Sequence, residues 1–206
     1  MNLTKSQPFA RKLRTLLAKI VCPSLLLVTS LVSAQTPRPT KTALPPSNYQ
    51  DFGACPFECC TYRRWDVTAA TTFYKDRSDK SAVVFRARKG ERVTGLTGVV
   101  ITLKPGKVVV KKATTIGDRS KARVKPGDVL YLLHYMGEGF YKIWFNGKIY
   151  ENEMPPVTTS ASKAEQEYFQ VLNEPDTVWW MKVKNSRNQI GWTKQNDHFG
   201  NMDACG

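Results

Sequence analysis

Apolar and polar residues alternate along much of this chain, and the alternation predicts short β-strands. In residues 178–194, "VWWMKVKNSRNQIGWTK", an alternating run leads into a polar turn at residues 185–188 and then a second short run. Two such runs around a polar turn predict a β-hairpin. Residues 139–151, "GFYKIWFNGKIYE", predict another, because Asn146-Gly147 can supply the positive φ values of a tight turn.

The middle of the chain gives further strand signals. Residues 67–98 contain "VTAATTFYK", "AVVFRAR" and "ERVTGL", separated by polar or glycine turns, and "VVITLKPGKVVVKKA" predicts a hairpin around Pro105-Gly106. Residues 129–136 are apolar at both alternating sets of positions, so we expect a strand covered on both faces. One face comprises Val129, Tyr131, Leu133 and Tyr135, and the other comprises Leu130, Leu132, His134 and Met136.

One helical stretch interrupts this β pattern. Ser162 and Glu165 have the spacing of a capping box, and the "AEQEYFQVL" segment that begins at residue 164 can place its apolar residues on one face. Pro175 would end the helix. We therefore expect one short helix within a connector at residues 156–177.

The N-terminal 34 residues have the three parts of a secretory signal peptide. A basic head precedes an apolar run at residues 20–32 and the small-residue site Val32-Ser33-Ala34. The run is shorter than the roughly 18–20 residues of a membrane span, although retention as an uncleaved anchor is the alternative. We expect cleavage near Ala34, a secreted or periplasmic protein without a stable membrane span, and a Pro/Thr-rich linker at residues 35–50.

Four cysteines follow this signal: Cys55, Cys59, Cys60 and Cys205. An even number in an oxidising compartment predicts disulfides. Adjacent Cys59 and Cys60 could pair with each other only in a strained geometry, so we expect a short bridge from Cys55 to one of them and a second bridge to Cys205. A metal site that adds His198 is the alternative, but the C-x3-C-C spacing is not that of a zinc knuckle.

Charge and aromatic residues bear on binding. Residues 75–148 carry 17 basic and 6 acidic side chains; such lysines commonly provide solubility, or else affinity for an anionic surface such as a wall polymer. Nucleic acid is a common partner of basic proteins, but we do not expect it as the partner of an exported protein. Neighbouring Trp179 and Trp180 must point to opposite faces of a strand, and an exposed aromatic beside basic groups suits a peptide, glycan or anionic polymer. The candidate binding surface comprises Tyr74, Trp144, Trp179, Arg86 and Arg88.

Residues for catalysis are scarce. After the signal, the only histidines are His134 and His198, and we expect His134 to be a buried, hydrogen-bonded structural residue in an apolar strand. The sequence has no Gly-rich phosphate loop, no H-E-x-x-H and no C-x-x-C. We predict no catalytic residues, no metal site and no cofactor.

The order of these segments resembles that of bacterial SH3-like (SH3b) domains. "SAVVFRARKGERVTGL" is similar to the two central strands and their turn, and residues 178–194 are similar to the closing Trp-rich strand, short turn and "GW" strand. The resemblance implies an all-β fold, with residues 51–98 and 178–206 forming a disulfide-closed SH3-like barrel. Residues 99–155 would be a second SH3-like unit nested in it; a single barrel with one long hairpin is the plainer alternative.

The resemblance also implies a role. SH3-like modules of this kind suggest a non-catalytic binding or interaction protein at the bacterial cell envelope, with peptidoglycan, another envelope component or another exported protein as partner. A thiol-redox or metal-dependent activity at the cluster Cys55, Cys59 and Cys60 is the alternative, since adjacent cysteines are unusual. A purely structural subunit is a third possibility.

Overall fold

The computed structural model describes residues 43–156 and 166–205, and the predicted all-β class is confirmed. The strands are β1 (Tyr49–Phe52), β2 (Arg64–Val67), β3 (Thr71–Tyr74), β4 (Val83–Ala87), β5 (Arg92–Lys104), β6 (Gly106–Val110), β7 (Thr114–Ile116), β8 (Ala122–Val124), β9 (Val129–Gly137), β10 (Phe140–Phe145), β11 (Lys148–Glu153), β12 (Phe169–Asn173), β13 (Asp176–Lys184), β14 (Ile190–Thr193) and β15 (Phe199–Gly200). A 3-10 turn at Asn196–His198 precedes β15. In these described ranges no helix has the length and hydrophobicity needed to cross a membrane.

The first sheet is built around the long strand β5. Its strand order is β15-β2-β5-β13-β14-β3-β4, with β1 added beside β5, and it curls into a half-barrel. One edge of β5 pairs with β13, whereas the other edge is shared by β2 near its start and by β1 near its end. Strand β1 begins at Tyr49, so the last two residues of the predicted linker belong to the first sheet.

The hairpin predicted for residues 178–194 is confirmed within this sheet. Strands β13 and β14 pair antiparallel from Met181 opposite Thr193 to Lys184 opposite Ile190. The side-chain oxygen of Asn185 accepts hydrogen bonds from two backbone N–H groups of the turn, each at 3.0 Å, which fixes the polar loop between the strands.

The second sheet has the order β11-β10-β9-β6-β12, and a separate β7–β8 ribbon lies beside it. Strands β10 and β11 form the second predicted hairpin, with Asn146 and Gly147 at φ values of 48° and 80°. Both residues therefore adopt the left-handed conformation that their sequence favours.

The predicted hairpin around Pro105 and Gly106 is wrong. Lys104 still pairs with Asp176 in the first sheet, while Lys107 already pairs with Tyr131 in the second. The chain passes from one sheet to the other here instead of reversing. Neighbouring backbone prevents any larger residue from fitting at Gly106 without a shift, since a Cβ there would lie 2.6 Å from the carbonyl oxygen of Asn173.

The predicted helix is also wrong where its residues are described. Residues 169–173 form strand β12, which pairs with β6 at the edge of the second sheet. Phe169 and Val171 pack against the core while Gln170 and Leu172 are exposed, which is the period of two of a strand. Ser162 and Glu165 lie outside the described residues.

Each sheet encloses its own core. The first core comprises Trp65, Val67, Phe73, Phe85, Ala87, Val93, Val100, Trp179, Met181, Val183 and Met202. The second comprises Val108, Val110, Ile116, Val124, Leu130, Leu132, Tyr141, Ile143, Phe145, Tyr150, Met154 and Phe169. Leu133 is fully buried outside the second core, so β9 is covered on both faces as expected. The Thr102 hydroxyl donates to the Leu133 carbonyl at 2.7 Å and joins the two sheets at this point.

The cysteines form the expected pattern of two bridges. Cys55 is joined to Cys60 and Cys59 to Cys205, with Cα–Cα distances of 5.5 and 5.6 Å. The C-terminal segment is also hydrogen-bonded to the cysteine-rich segment, since the Ala204 N–H donates to the Cys59 carbonyl at 2.9 Å. The predicted signal peptide lies outside the described residues.

Candidate functional site

The outer face of the first sheet carries a row of side chains fixed by strand register. Lys182 on β13 lies directly opposite Thr97 on β5 and Trp192 on β14. Trp192 in turn lies opposite Tyr74 on β3. Directly opposed residues project from the same face of a sheet, so these four side chains form one line across four strands.

Cations lie over the Trp192 ring of this row and over the Phe52 ring of β1. The Arg77 guanidinium carbon is 5.5 Å from the ring centre of Phe52 and 5.6 Å from that of Trp192, and the Lys182 ammonium is 5.6 Å from Trp192. The Gln50 side-chain oxygen accepts a hydrogen bond from Arg77 at 2.7 Å. These distances are within the range of cation–π attraction, which orients the basic groups.

We call Phe52, Tyr74, Arg77, Lys182 and Trp192 the cation–aromatic surface. Its rings differ in exposure: Phe52 is 70% exposed, whereas Trp192 and Tyr74 are half-buried. The surface therefore offers both flat apolar faces and positive charge to the outside, which is the chemistry that suits a ligand with rings or peptide planes and anionic groups.

Trp180 lies beside this surface but is buried. It projects from the same face of β13 as Lys182, yet it is 5% exposed. The Lys194 ammonium lies 5.7 Å from its ring centre and pairs with the carboxylate of Asp79 at 2.5 Å. Trp180 is thus covered, and Trp192 is the tryptophan that this face presents.

The five residues predicted for binding are divided among four places. Tyr74 belongs to the cation–aromatic surface, and Arg86 is exposed on the neighbouring edge strand β4 with Arg88 just beyond its end. Trp144 lies on the second sheet, where its indole N–H donates to the Ala43 carbonyl at 2.8 Å. Trp179 is 7% exposed in the first core and does not contribute to an outer surface.

The alternation of residues in the sequence indicates on which face of the sheet each of these tryptophans lies. Trp179 has the parity of Met181 and Val183, an apolar set, whereas Trp180 has the parity of Lys182. The apolar set indicates the core side, and the register of the hairpin then places Trp192 beside Lys182. Phe52 and Arg77 carry no such signal, because only the tertiary structure brings their segments to β14.

A buried ionic cluster joins β1 to the second sheet. One carboxylate oxygen of Asp51 lies 2.7 Å from His134 Nε2 and 2.6 Å from the Lys142 ammonium. His134 Nδ1 lies 2.7 Å from the Tyr135 carbonyl oxygen, so both ring nitrogens have a hydrogen-bond partner. The expectation of a buried, hydrogen-bonded His134 is confirmed. Of the described residues, none offers it a hydroxyl or thiol nucleophile.

The cysteines and His198 do not come together as a site. His198 Nδ1 lies 3.1 Å from the Thr71 hydroxyl. Within the described ranges, the one group with metal-ligand spacing is Cys59, Asp203 and Cys205, and its two sulfurs are joined to each other in the disulfide. A thiolate, which is the nucleophile and metal ligand, would require reduction of that bond first.

Comparisons of the chain with protein-family models, curated proteins and solved structures found no match.

Proposed function

We propose that this protein is an exported, non-catalytic, SH3-like binding module of the bacterial cell envelope. Its ligand is an envelope component with anionic groups, such as peptidoglycan or a wall-associated polymer, and it binds at the cation–aromatic surface. The single observation that supports this proposal most is the position of Arg77 and Lys182 over the Trp192 ring.

The chemistry of that arrangement favours binding over catalysis. The Trp192 and Tyr74 rings offer faces for sugar rings or peptide planes. The Arg77 guanidinium is always charged and can donate two parallel hydrogen bonds to a carboxylate or phosphate. Because the rings and Gln50 already hold the Arg77 side chain, less conformational entropy is lost when a ligand binds.

The nested SH3-like architecture is part of the same proposal. The strands of the first sheet come from residues 49–104 and 176–200, and those of the second come from residues 106–153 and 169–173. Two cores drawn from these separate parts of the chain support one small barrel inserted into another. The disulfides are compatible with export to an oxidising compartment.

The test is sedimentation of the purified protein with bacterial cell-wall fragments. We expect the wild-type protein to pellet with the fragments at low salt and to be released at high salt, because exposed charges are screened. Arg77→Gln and Trp192→Ala should each weaken binding about fivefold or more, since each removes an interaction of about 1 kcal/mol or more.

Lys107→Gln is the matched control. Lys107 is exposed on β6 of the second sheet, so this variant loses one charge outside the cation–aromatic surface. It should bind within about twofold of the wild type. Absence of wild-type binding, or equal losses in Lys107→Gln and Arg77→Gln, would reject the surface as the binding site.

A further inference from the structure

A cavity of about 580 Å³ lies beside the β7–β8 ribbon, far along the chain from the cation–aromatic surface. Its lining includes Thr115, Arg123, Lys125, Asp128, Phe145 and Asn146. Phe145 and Val124 belong to the second core and supply apolar wall, while the remaining lining is largely polar or charged. Its volume falls in the range of small-molecule sites.

The ribbon and its flanks concentrate positive charge at this cavity. Residues 111–125 contain six basic side chains and one acidic one, Asp118. Lys112 is paired with Glu167 at 2.6 Å. Among the residues that the structure describes, no carboxylate oxygen lies within 4.0 Å of the side-chain nitrogens of Arg123 or Lys125. Two cations at the cavity are thus available to a ligand.

The strand register and turns fix the polar groups around it. Arg123 lies opposite Thr115 in the ribbon. The Asp128 carboxylate accepts the Lys125 backbone N–H at 2.9 Å, which holds the turn that leads into β9. Asn146 lies at the tight turn between β10 and β11. The cavity is therefore bounded by three separate elements whose positions are set by backbone pairing.

We propose that this cavity is a second ligand site, which takes a small molecule bearing a phosphate or carboxylate group. Arg123 and Lys125 bind the anionic group, since charged donors to an oxyanion form the stronger class of hydrogen bond. The Thr115 hydroxyl and the Asn146 amide are suited to hydroxyl or amide groups of the ligand body, and Phe145 to its apolar part. This site shares no residue with the cation–aromatic surface and does not depend on the proposed envelope function.

The test is an NMR titration of the ¹⁵N-labelled protein with three probes: glycerol 3-phosphate, N-acetylalanine and uncharged glycerol. We expect saturable shifts of the Thr115 and Asn146 amide signals with at least one anionic probe and none with glycerol. Arg123→Gln should raise the dissociation constant about tenfold, because a hydrogen bond to a charged group contributes about 1.5 kcal/mol or more.

The outcomes separate the two sources of the anionic group. Binding of glycerol 3-phosphate, of N-acetylalanine or of both supports the site and names the group that it prefers. Lys107→Gln is the control, because Lys107 belongs to the second sheet but does not line the cavity. This variant should bind the anionic probes as the wild type does. The proposal is overturned if neither anion shifts these signals at about 50 mM, if glycerol shifts them equally, or if Arg123→Gln binds unchanged.

Discussion

Among single residues, Asp51 has the most unusual electrostatic surroundings. Burial alone would raise the pKa of this carboxyl, but the hydrogen bonds from His134 and Lys142 outweigh burial and hold the pKa below its usual range. The side chains of all three residues are largely buried, with exposures of 16%, 3% and 16%. Removing the carboxylate would leave the Lys142 ammonium without its anion and His134 Nε2 without its hydrogen-bond partner, and such losses are costly inside a protein.

Asp51→Asn should therefore lower the free energy of unfolding by about 3 kcal/mol at neutral pH. The folded-state pKa of Asp51 lies below its unfolded value of about 4, so its stabilisation is complete above that value and is lost as the pH falls through the folded pKa. The difference between wild type and Asp51→Asn should shrink accordingly below about pH 4. Urea unfolding followed by tryptophan fluorescence across this pH range measures both effects.

Asp66→Asn is the control for this prediction. Asp66 pairs with Arg92 at 2.9 Å, but their side chains are 46% and 65% exposed. Solvent screens such a pair, so its loss should cost less than about 1 kcal/mol at any pH. Equal costs for the two variants at neutral pH would show that the Asp51 cluster stabilises the fold no more than a surface pair does.

At the scale of elements, the chain passes between the two sheets twice, at neighbouring positions. Strand β5 continues into β6 at Pro105, and β12 continues into β13 through Glu174 and Pro175. They remain beside each other throughout, since β5 pairs with β13 and β6 with β12. This double crossing is the covalent connection between the halves of the β structure.

Gly106→Ala tests how tightly the crossing is packed. The added methyl group would lie 2.6 Å from the Asn173 carbonyl oxygen and 2.9 Å from the Pro175 nitrogen, both backbone atoms that cannot rotate away. We expect a loss of about 2 kcal/mol in the free energy of unfolding, as for other overpacked sites, measured by urea denaturation. Gly200→Ala is the control, because its methyl group would meet only the Thr68 side chain at 3.5 Å. Similar stabilities of the two variants would contradict the predicted packing.

The crossing also shows what could be predicted from the sequence and what could not. The two hairpins with loops at residues 185–189 and 146–147 follow from local alternation and turn residues. The passage of the chain from the first sheet to the second at Pro105 does not follow from local pattern, because it involves packing against the backbone of residues 173–175, which is remote in sequence. The failed helix prediction has a similar cause: Phe169 could begin a helical or a strand pattern, and pairing with β6 decides it. The same limit applies to the cation–aromatic surface, where Arg77 and Phe52 meet Trp192 only after folding.

For the whole molecule, the two disulfides have unequal spans. Cys55–Cys60 closes a sequence separation of 5, whereas Cys59–Cys205 closes one of 146 and fixes the C-terminal segment to the start of the first sheet. A cross-link restricts the unfolded chain more when its loop is longer. Backbone hydrogen bonds also join the same two segments. Cys60 and Asp203 form an isolated antiparallel β-bridge, and the Ala204 N–H donates to the Cys59 carbonyl.

The double variant Cys59→Ser/Cys205→Ser should therefore keep the native fold but lose about 5 kcal/mol of unfolding free energy, whereas Cys55→Ser/Cys60→Ser should lose about 2 kcal/mol. Urea unfolding under non-reducing conditions compares them, and the near-ultraviolet circular dichroism of the native state serves as the check on the fold. The short-span variant is the matched control, since it also removes two sulfurs from the same cysteine-rich segment. Equal losses would mean that the long bridge acts by local packing and not by closing the chain, and loss of the native spectrum would mean that the C-terminal hydrogen bonds cannot hold the sheet's end without it.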